Sequence, residues 1–467
     1  MTQVNQMAAK SWVLALTSVA SFMMALDALV VTTALSTIRV DLGASIEALE
    51  WVVNAYNLSF AVLLLTGAAL GDRFGRRRVF AAGLALFVAA SAGCALAGGA
   101  GWLIAARAVQ GAGAALVMPT AMTLLSATFP PQERGKALGM FSGVTGLALI
   151  AGPVVGGGVA EGLAWPWIFW INIPIGLVIL LLRRRIPESV GAGSALDITG
   201  LVLVTGAALG VVWGLMRGNA AGWASPSVVA LFAAGLVLAV AFVVCEQRTR
   251  DPMVPMRLFR SRPFSSGIAS SFLFYASMYG VVFLLPQFLQ VAQGNGPLGA
   301  GLRLLPWTAT LFVFAPIAGA LINRVGERSL IVVGLLLQAT GIAWIGLTIA
   351  PDLAYAKLVM PLVLAGAGVS MAMPAAQNAV LSAVAPAEIG KASGTFNMFR
   401  FLAGAFGIAV MVAVFAQAGG VDSPQAFSAG FAPALGVSAA LSLLAAIAGL
   451  WQPARREAVL TPVAAKP

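Results

Sequence analysis

Asp27 lies in the run FMMALDALVVTTAL, Phe22–Leu35, where all four residues on either side of it are apolar. If that run crosses a bilayer, a charged group near its middle costs about 2.5–3.5 kcal/mol. A cost of that size points to chemistry, namely binding and releasing a proton or holding a cation. The segment LIAARAVQGAGAALVMP supplies a partner, because Arg107 and Gln110 stand one helical turn apart on nearly one face. The chain has no histidine, so proton chemistry falls to carboxylates with arginine or tyrosine in support. Removal from water favours a neutral acid, whereas a neighbouring cation favours the carboxylate. An aspartate held between those influences can take a proton from one side and release it on the other. Glu161 and Asp197 sit nearer helix ends, which leaves Asp27 as the one carboxylate placed deep in a helix. Two alternatives stand beside this reading: a structural pair of Asp27 with Arg107, and direct binding of a cationic substrate by Asp27.

Polar and aromatic side chains recur at helical spacings elsewhere. Asn54 and Asn57 are spaced i,i+3, Tyr275 and Tyr279 i,i+4, and Phe272 shares the tyrosines' face. With Gln110, Gln377, Asn378, Asn397 and Arg400 they could line a cavity. The competing roles are inter-helix or lipid-facing packing for the aromatics and inter-helix hydrogen bonding for the amides. One acid and much soft apolar surface, including Met24, Met118, Met371 and Met373, suit bulky amphipathic and cationic molecules. Arg400 would also suit anionic or zwitterionic ones.

The elements that must position these groups follow from composition. Of the 467 residues 60% are apolar and only 9% charged, and mean hydropathy is +0.95, where soluble domains carry about a quarter charged residues. Apolar runs of spanning length are predicted near 12–35, 50–71, 79–99, 103–128, 136–160, 167–183, 196–216, 226–245, 264–290, 299–322, 330–350, 358–384, 391–417 and 430–451. Fourteen spans put both termini on one side. The connections on that side hold most of the 27 Lys and Arg, whereas the other keeps Arg39, Arg217, Arg303 and Lys357. That asymmetry places both termini in the cytoplasm. It also accounts for the net charge of +11 without nucleic acid, since no soluble basic domain is evident. The first apolar run is too long for a secretory signal and stays as the first helix. Cys94 and Cys245 both fall in apolar runs and are expected to be free thiols.

The chain also repeats itself. GAALGDRFGRR (Gly67–Arg77) returns as AGALINRVGER (Ala318–Arg328), GAGAALVMPTA (Gly111–Ala121) as GAGVSMAMPAA (Gly366–Ala376), and PQERGKALGMF (Pro131–Phe141) as PAEIGKASGTF (Pro386–Phe396). Three matches in one order divide the chain into related six-helix bundles over 1–190 and 251–453. The insert over 191–250 carries helices 7 and 8, and 454–467 forms a cytoplasmic tail. Two related halves around a midplane site suit alternating access.

The loop LGDRFGRRR (Leu70–Arg78), the segment around Arg107, Gln110 and Gly111, the helix-5 run AGPVVGGG (Ala151–Gly158), and LDALVVTTALS around Asp27 together resemble the major facilitator superfamily, and within it the fourteen-helix drug:proton antiporters. The resemblance extends over nearly the whole chain. It implies an all-α membrane protein of the major facilitator fold, two six-helix bundles plus two extra linker helices. Under it Asp27 and Arg107 couple protons, while Asp72, Arg73, Gly75, Arg76, Gly152, Pro153, Gly156 and Gly157 gate the conformational change. In the second half Asn323 replaces Asp72, Leu362 and Ala365 replace Arg107 and Gln110, and Gly407 is followed by Ile408 where Gly152 is followed by Pro153. The N-terminal half therefore reads as the proton-coupling one and the C-terminal half as more of a substrate wall.

The expectation is proton-coupled efflux of hydrophobic or amphipathic, cationic small molecules from a bacterial-type cytoplasmic membrane, by a monomer with no cofactor and no metal. A dedicated exporter of one metabolite or lipid, a symporter, and a transport-inactive sensor or scaffold are the alternatives. An enzyme is disfavoured, because no phosphate-cradling loop and no nucleophile–base pair can be located.

Overall fold

The structure, a computed structural model, describes residues 3–191, 196–385 and 388–453, without the side chains of residues 3–9, Pro131, Gly135 and Asn323. The tail expected over 454–467, with Arg455, Arg456 and Lys466, and the comparison of Asn323 with Asp72, lie outside the described residues.

Fourteen helices are long and apolar enough to cross a membrane: α1 Lys10–Leu42, α2 Ile46–Phe74, α3 Arg76–Ala95, α4 Ala100–Thr128, α5 Gln132–Gly162, α6 Trp167–Arg185, α7 Ile198–Ala221, α8 Pro226–Arg248, α9 Arg262–Ala292, α10 Pro297–Ile322, α11 Arg324–Thr348, α12 Tyr355–Leu381, α13 Ile389–Ala418 and α14 Pro424–Leu450. Several extend past the apolar runs because polar caps begin them. Ser45 accepts the Ala48 N–H before α2, and Ser423 accepts the Ala426 N–H before α14.

Helices α1–α6 form one bundle, in which α4 packs on α2 and α3, and α5 on α1. Helices α9–α14 form the second, in which α12 packs on α10 and α11, and α13 and α14 on α9. The repeat is visible in backbone geometry. Gly75 joins α2 to α3 at φ +101°, and Gly326, its counterpart, has φ +79°, the left-handed region that favours glycine. Gly111 brings α4 against the Tyr56 carbonyl of α2, as Gly366 brings α12 against the Trp307 carbonyl of α10. Gly152 brings α5 against Leu29 of α1, as Gly407 brings α13 against Ala276 of α9.

The bundles meet along two seams, α2 with α13 and α5 with α10. The inserted α7 lies over the first, where Trp213 meets Trp51 edge-to-face at 6.1 Å and Asn219 donates to the Ala413 carbonyl at 2.5 Å. The inserted α8 packs mainly on α7 and leaves Val229, Leu236, Val237 and Val240 exposed, a surface fit for lipid.

Candidate functional site

Four helices converge on Asp27. It is 2% exposed, and Arg107, 1% exposed, places Nη1 2.5 Å from its Oδ2. Gln110 Nε2 donates to Oδ1 at 2.9 Å, and Asn172 Nδ2 donates to the same oxygen at 2.7 Å. The Arg107 Nη1 also reaches Gln110 Oε1 at 2.6 Å, its Nε donates to the Val52 carbonyl, and its guanidinium lies 4.2 Å from the centre of the Tyr56 ring. Ser91 on α3 accepts from Gln110 at 2.9 Å. The buried carboxylate thus has a cation and two amides around it. Removing one partner of such a pair exposes the other to the cost of an unpaired buried charge, about 3–5 kcal/mol.

Local sequence explains how the groups arrive there. Arg107 and Gln110, three apart on α4, present a fork to α1. Asn172 comes from α6, whose helical pattern breaks at Ile171 between Trp167–Trp170 and Asn172–Leu182. Pro174 has no N–H for the Trp170 carbonyl, which loosens the turn that carries Asn172. Leu26, Val30, Val155, Val159, Ile168 and Asn172 enclose Asp27 between α1, α5 and α6. The pairing of Asp27 with Arg107 follows the expectation, whereas Gln110, expected along the substrate cavity, is bonded to Asp27 instead. Asn172, Ser91 and Tyr56 were missed, and only the isolation of Asn172 in the apolar run of α6 could have flagged it.

Rings link this cluster to the second bundle. Tyr56 stacks with Phe60 at 6.3 Å, Phe60 meets Phe401 at 4.2 Å, and Phe401 meets Tyr279 at 6.4 Å. Tyr279 adjoins Tyr275 at 6.3 Å, and the Arg400 guanidinium lies 4.9 Å from the Tyr275 ring centre and 5.5 Å from that of Phe401. Arg400 Nε has no hydrogen-bond partner, and Arg400 makes no ion pair among the described residues. Phe272 packs on Phe399 and Phe406. Asn54 and Asn57 are buried on α2. The other amides stand apart from these rings: Asn378 is exposed and donates to Glu327 at 2.9 Å, Gln377 beside it is half-buried, and Asn397 donates to Ser393 of its own helix. Glu50, at the predicted start of the second span, lies in the second turn of α2 and is buried.

The loop motif is tied to the segment that follows α6. Asp72 pairs with Arg76 at 2.8 Å, Arg76 N–H donates to the Ser189 carbonyl, and Glu188 accepts the Arg77 N–H at 2.9 Å. Arg73 is exposed, its guanidinium 5.4 Å from the Phe74 ring centre. At the opposite end of the molecule the helix-5 motif closes the second seam. Gly156 lies on Val30 of α1, Gly157 lies on Pro297 and Leu298 of α10, and Gly301 of α10 lies on the Pro153 carbonyl. Glu161 accepts the Leu298 N–H at 2.9 Å, and Gln290 on α9 donates to the Thr33 carbonyl of α1 at 2.9 Å. Toward the loop end α5 and α10 part. A Cβ at Gly146 would reach Leu311 at 3.8 Å, but one at Gly139, Gly143 or Gly319 would meet nothing within 4 Å. The α5–α10 seam is closed at the far end and parted at the loop end.

The sequence profile of the Major Facilitator Superfamily matches residues 17–408, with a second match over 267–466. The tetracenomycin C resistance and export protein of Streptomyces glaucescens is 35% identical over 423 residues, covering 90% of this chain and 78% of that one. The multidrug resistance protein Stp of Mycobacterium tuberculosis is 32% identical over 86% of this chain and 75% of its own. The cephamycin export protein CmcT of Amycolatopsis lactamdurans is 36% identical over 86% and 84%. Among solved structures, a D-xylose–proton symporter superposes with a TM-score of 0.68 at 16% identity, covering 95% of this chain and 98% of that one.

Proposed function

We propose that this chain, which belongs to the major facilitator superfamily and is a transporter rather than an enzyme, exports hydrophobic or amphipathic small molecules in exchange for protons. Export is supported by the names of its relatives, a tetracenomycin exporter, a multidrug resistance protein and a cephamycin exporter. The observation that carries proton exchange is the Asp27 cluster. A carboxyl group with a cation and two amides around it has partners for both oxygens, and the same groups can be redistributed when a proton takes the cation's place. Asp27 then couples protons with Arg107, while Gln110 and Asn172 position the carboxylate. Substrate binds around Tyr275, Tyr279, Phe272 and Arg400, facing Asn54 and Asn57. In this reading the membrane is the bacterial cytoplasmic one, the loop end faces the cytoplasm, and the protein works as a monomer.

The test is extrusion of ethidium, a lipophilic cation, from cells lacking their own pumps. Expression of this protein should lower ethidium accumulation, and a protonophore should abolish the difference. Extrusion that survives the protonophore would remove proton exchange from the account.

Anionic or zwitterionic amphipaths are a second reading, favoured by the unmet Nε of Arg400. A hydrogen bond to a charged group contributes about 1.5–3 kcal/mol, roughly tenfold or more in affinity. Under this reading fluorescein is also extruded, and Arg400→Gln lowers its extrusion about tenfold while leaving ethidium within about twofold. Equal losses for both dyes would assign Arg400 to cavity shape instead.

A further inference from the structure

Two buried acids take no part in the mechanism above: Glu246 on α8, whose Oε2 accepts the Val254 N–H, and Glu50. Glu50 on α2 is 0% exposed. Among the described residues its only hydrogen bond is a long one, 3.5 Å from Asn54 Nδ2 to Oε1, and its Oε2 has no partner. Asn54, 0% exposed and one turn further on, has its Oδ1 without a partner as well. Two acceptor oxygens on neighbouring side chains are therefore left without a donor in a dry place. An acceptor buried without its donor costs about 1–3 kcal/mol, and a buried unpaired charge costs more.

No cation is at hand to meet that need. Helices α1, α3, α4, α7 and α13 pack against α2. On them Asp27 and Arg107 hold one another, Asp41 accepts the Trp165 N–H, and Arg400 lies on Tyr275. Lys391 pairs with Asp251, and Arg76, Arg77 and Arg78 pair with Asp72 or Glu188 at the loop end. Arg39 and Arg217 make no ion pair with Glu50, and the charge that acts on it is the like charge of Glu47, one turn back on its own helix. A proton resolves the whole arrangement at once. On Oε2 it removes the charge and turns an acceptor into a donor, which Asn54 Oδ1 can accept.

We propose that Glu50 is a second proton-carrying site, holding its proton against Asn54 while the far end is shut. Glu50, Asn54 and Asn57 repeat at i, i+4 and i+7 on one stripe of α2. That stripe flanks the residues, Leu58 and Leu65, through which α2 meets α13. The acid thus stands beside a seam between the bundles, in the second turn of α2. Once the far end opens, water reaches the stripe and the proton can leave. The carboxylate left behind would then be free to receive a cationic amphipath.

The proton can be read directly, whether or not Asp27 couples transport. The full-length protein in lipid nanodiscs at pH 7 is measured by infrared difference spectroscopy, wild type against Glu50→Gln. The expected difference is loss of the carbonyl stretch of one protonated carboxylic acid. Loss of carboxylate stretches instead overturns the proposal, and so does a carboxylate signal that shifts when sodium or potassium is replaced by choline, which would put a metal cation in the proton's place. Glutamate labelled with carbon-13 at the side-chain carboxyl assigns the band: the acid band that Glu50→Gln removes should be displaced by the label in wild-type protein, and a lost band that the label does not displace would belong to an aspartate and overturn the proposal too.

Discussion

Cells expressing the Asp27→Asn variant should retain ethidium as fully as cells without the transporter. A potential of 100 mV, about 2.3 kcal/mol per charge, drives a monocation such as ethidium inward to roughly fifty-fold accumulation; one-for-one exchange with a proton moves no net charge and so cancels that accumulation. Asparagine cannot bind or release the proton, so in the variant the accumulation returns in full. The substitution keeps size and most hydrogen-bond geometry, but it strands the Arg107 guanidinium in a site 1% exposed, at a cost of about 3–5 kcal/mol. Lost efflux could then reflect lost protein. The double variant Asp27→Asn, Arg107→Gln removes the orphaned charge, so its amount in the membrane should recover while efflux stays absent. Protonophore-sensitive efflux at the wild-type rate from the single variant would show that protons are carried elsewhere.

Gly157→Val should hold the far end open and stop transport. A Cβ at Gly157 would overlap the Pro297 carbonyl and lie 2.8 Å from the Leu298 Cα. Both are backbone atoms at the start of α10, so neither can rotate away as a side chain could. The neighbouring Gly158 is the control, because a Cβ there meets only a Leu298 methyl at 3.7 Å. Spin labels at Leu163→Cys and Gly299→Cys, with Cys245 replaced by alanine, report the far-end separation by double electron–electron resonance. Gly157→Val should lengthen the mean distance and remove the short population, and Gly158→Val should leave both distance and efflux unchanged. A wild-type distance distribution in Gly157→Val would mean that the seam tolerates the bulk.

The fourteen spans were legible because every one is an apolar run bounded by glycine, proline or charge. The two-bundle plan was legible because the repeats survive in sequence, and Gly75 and Gly326 now show the same backbone twist. Asp27 and Arg107 could be paired in advance, since a charge deep in an apolar run needs a counter-charge and few were on offer. Asn172 could not, because a single amide reads equally as a bond between any two helices, and its position depends on the break at Ile171. Glu50 escaped notice for a different reason. It opens the predicted second span, where a carboxylate looks like an interfacial residue, but α2 begins four residues earlier at Ile46 and carries it inside. Asn378 shows the reverse error of scale. Helical spacing puts it near the cavity wall, yet its depth along α12 brings it to Glu327.

The two seams between the bundles are unequal. Helices α2 and α13 touch from Trp51, under α7, down to Leu65 against Gly394, whereas α5 and α10 touch only at one end. The molecule is bound like a book, with α7 glued over the spine, and its pages part on the α5–α10 edge alone. In the export proposed above that free edge faces the hydrocarbon, a molecule dissolved in the adjoining leaflet enters sideways between the pages, and its concentration in the oil of the membrane governs how fast it is captured.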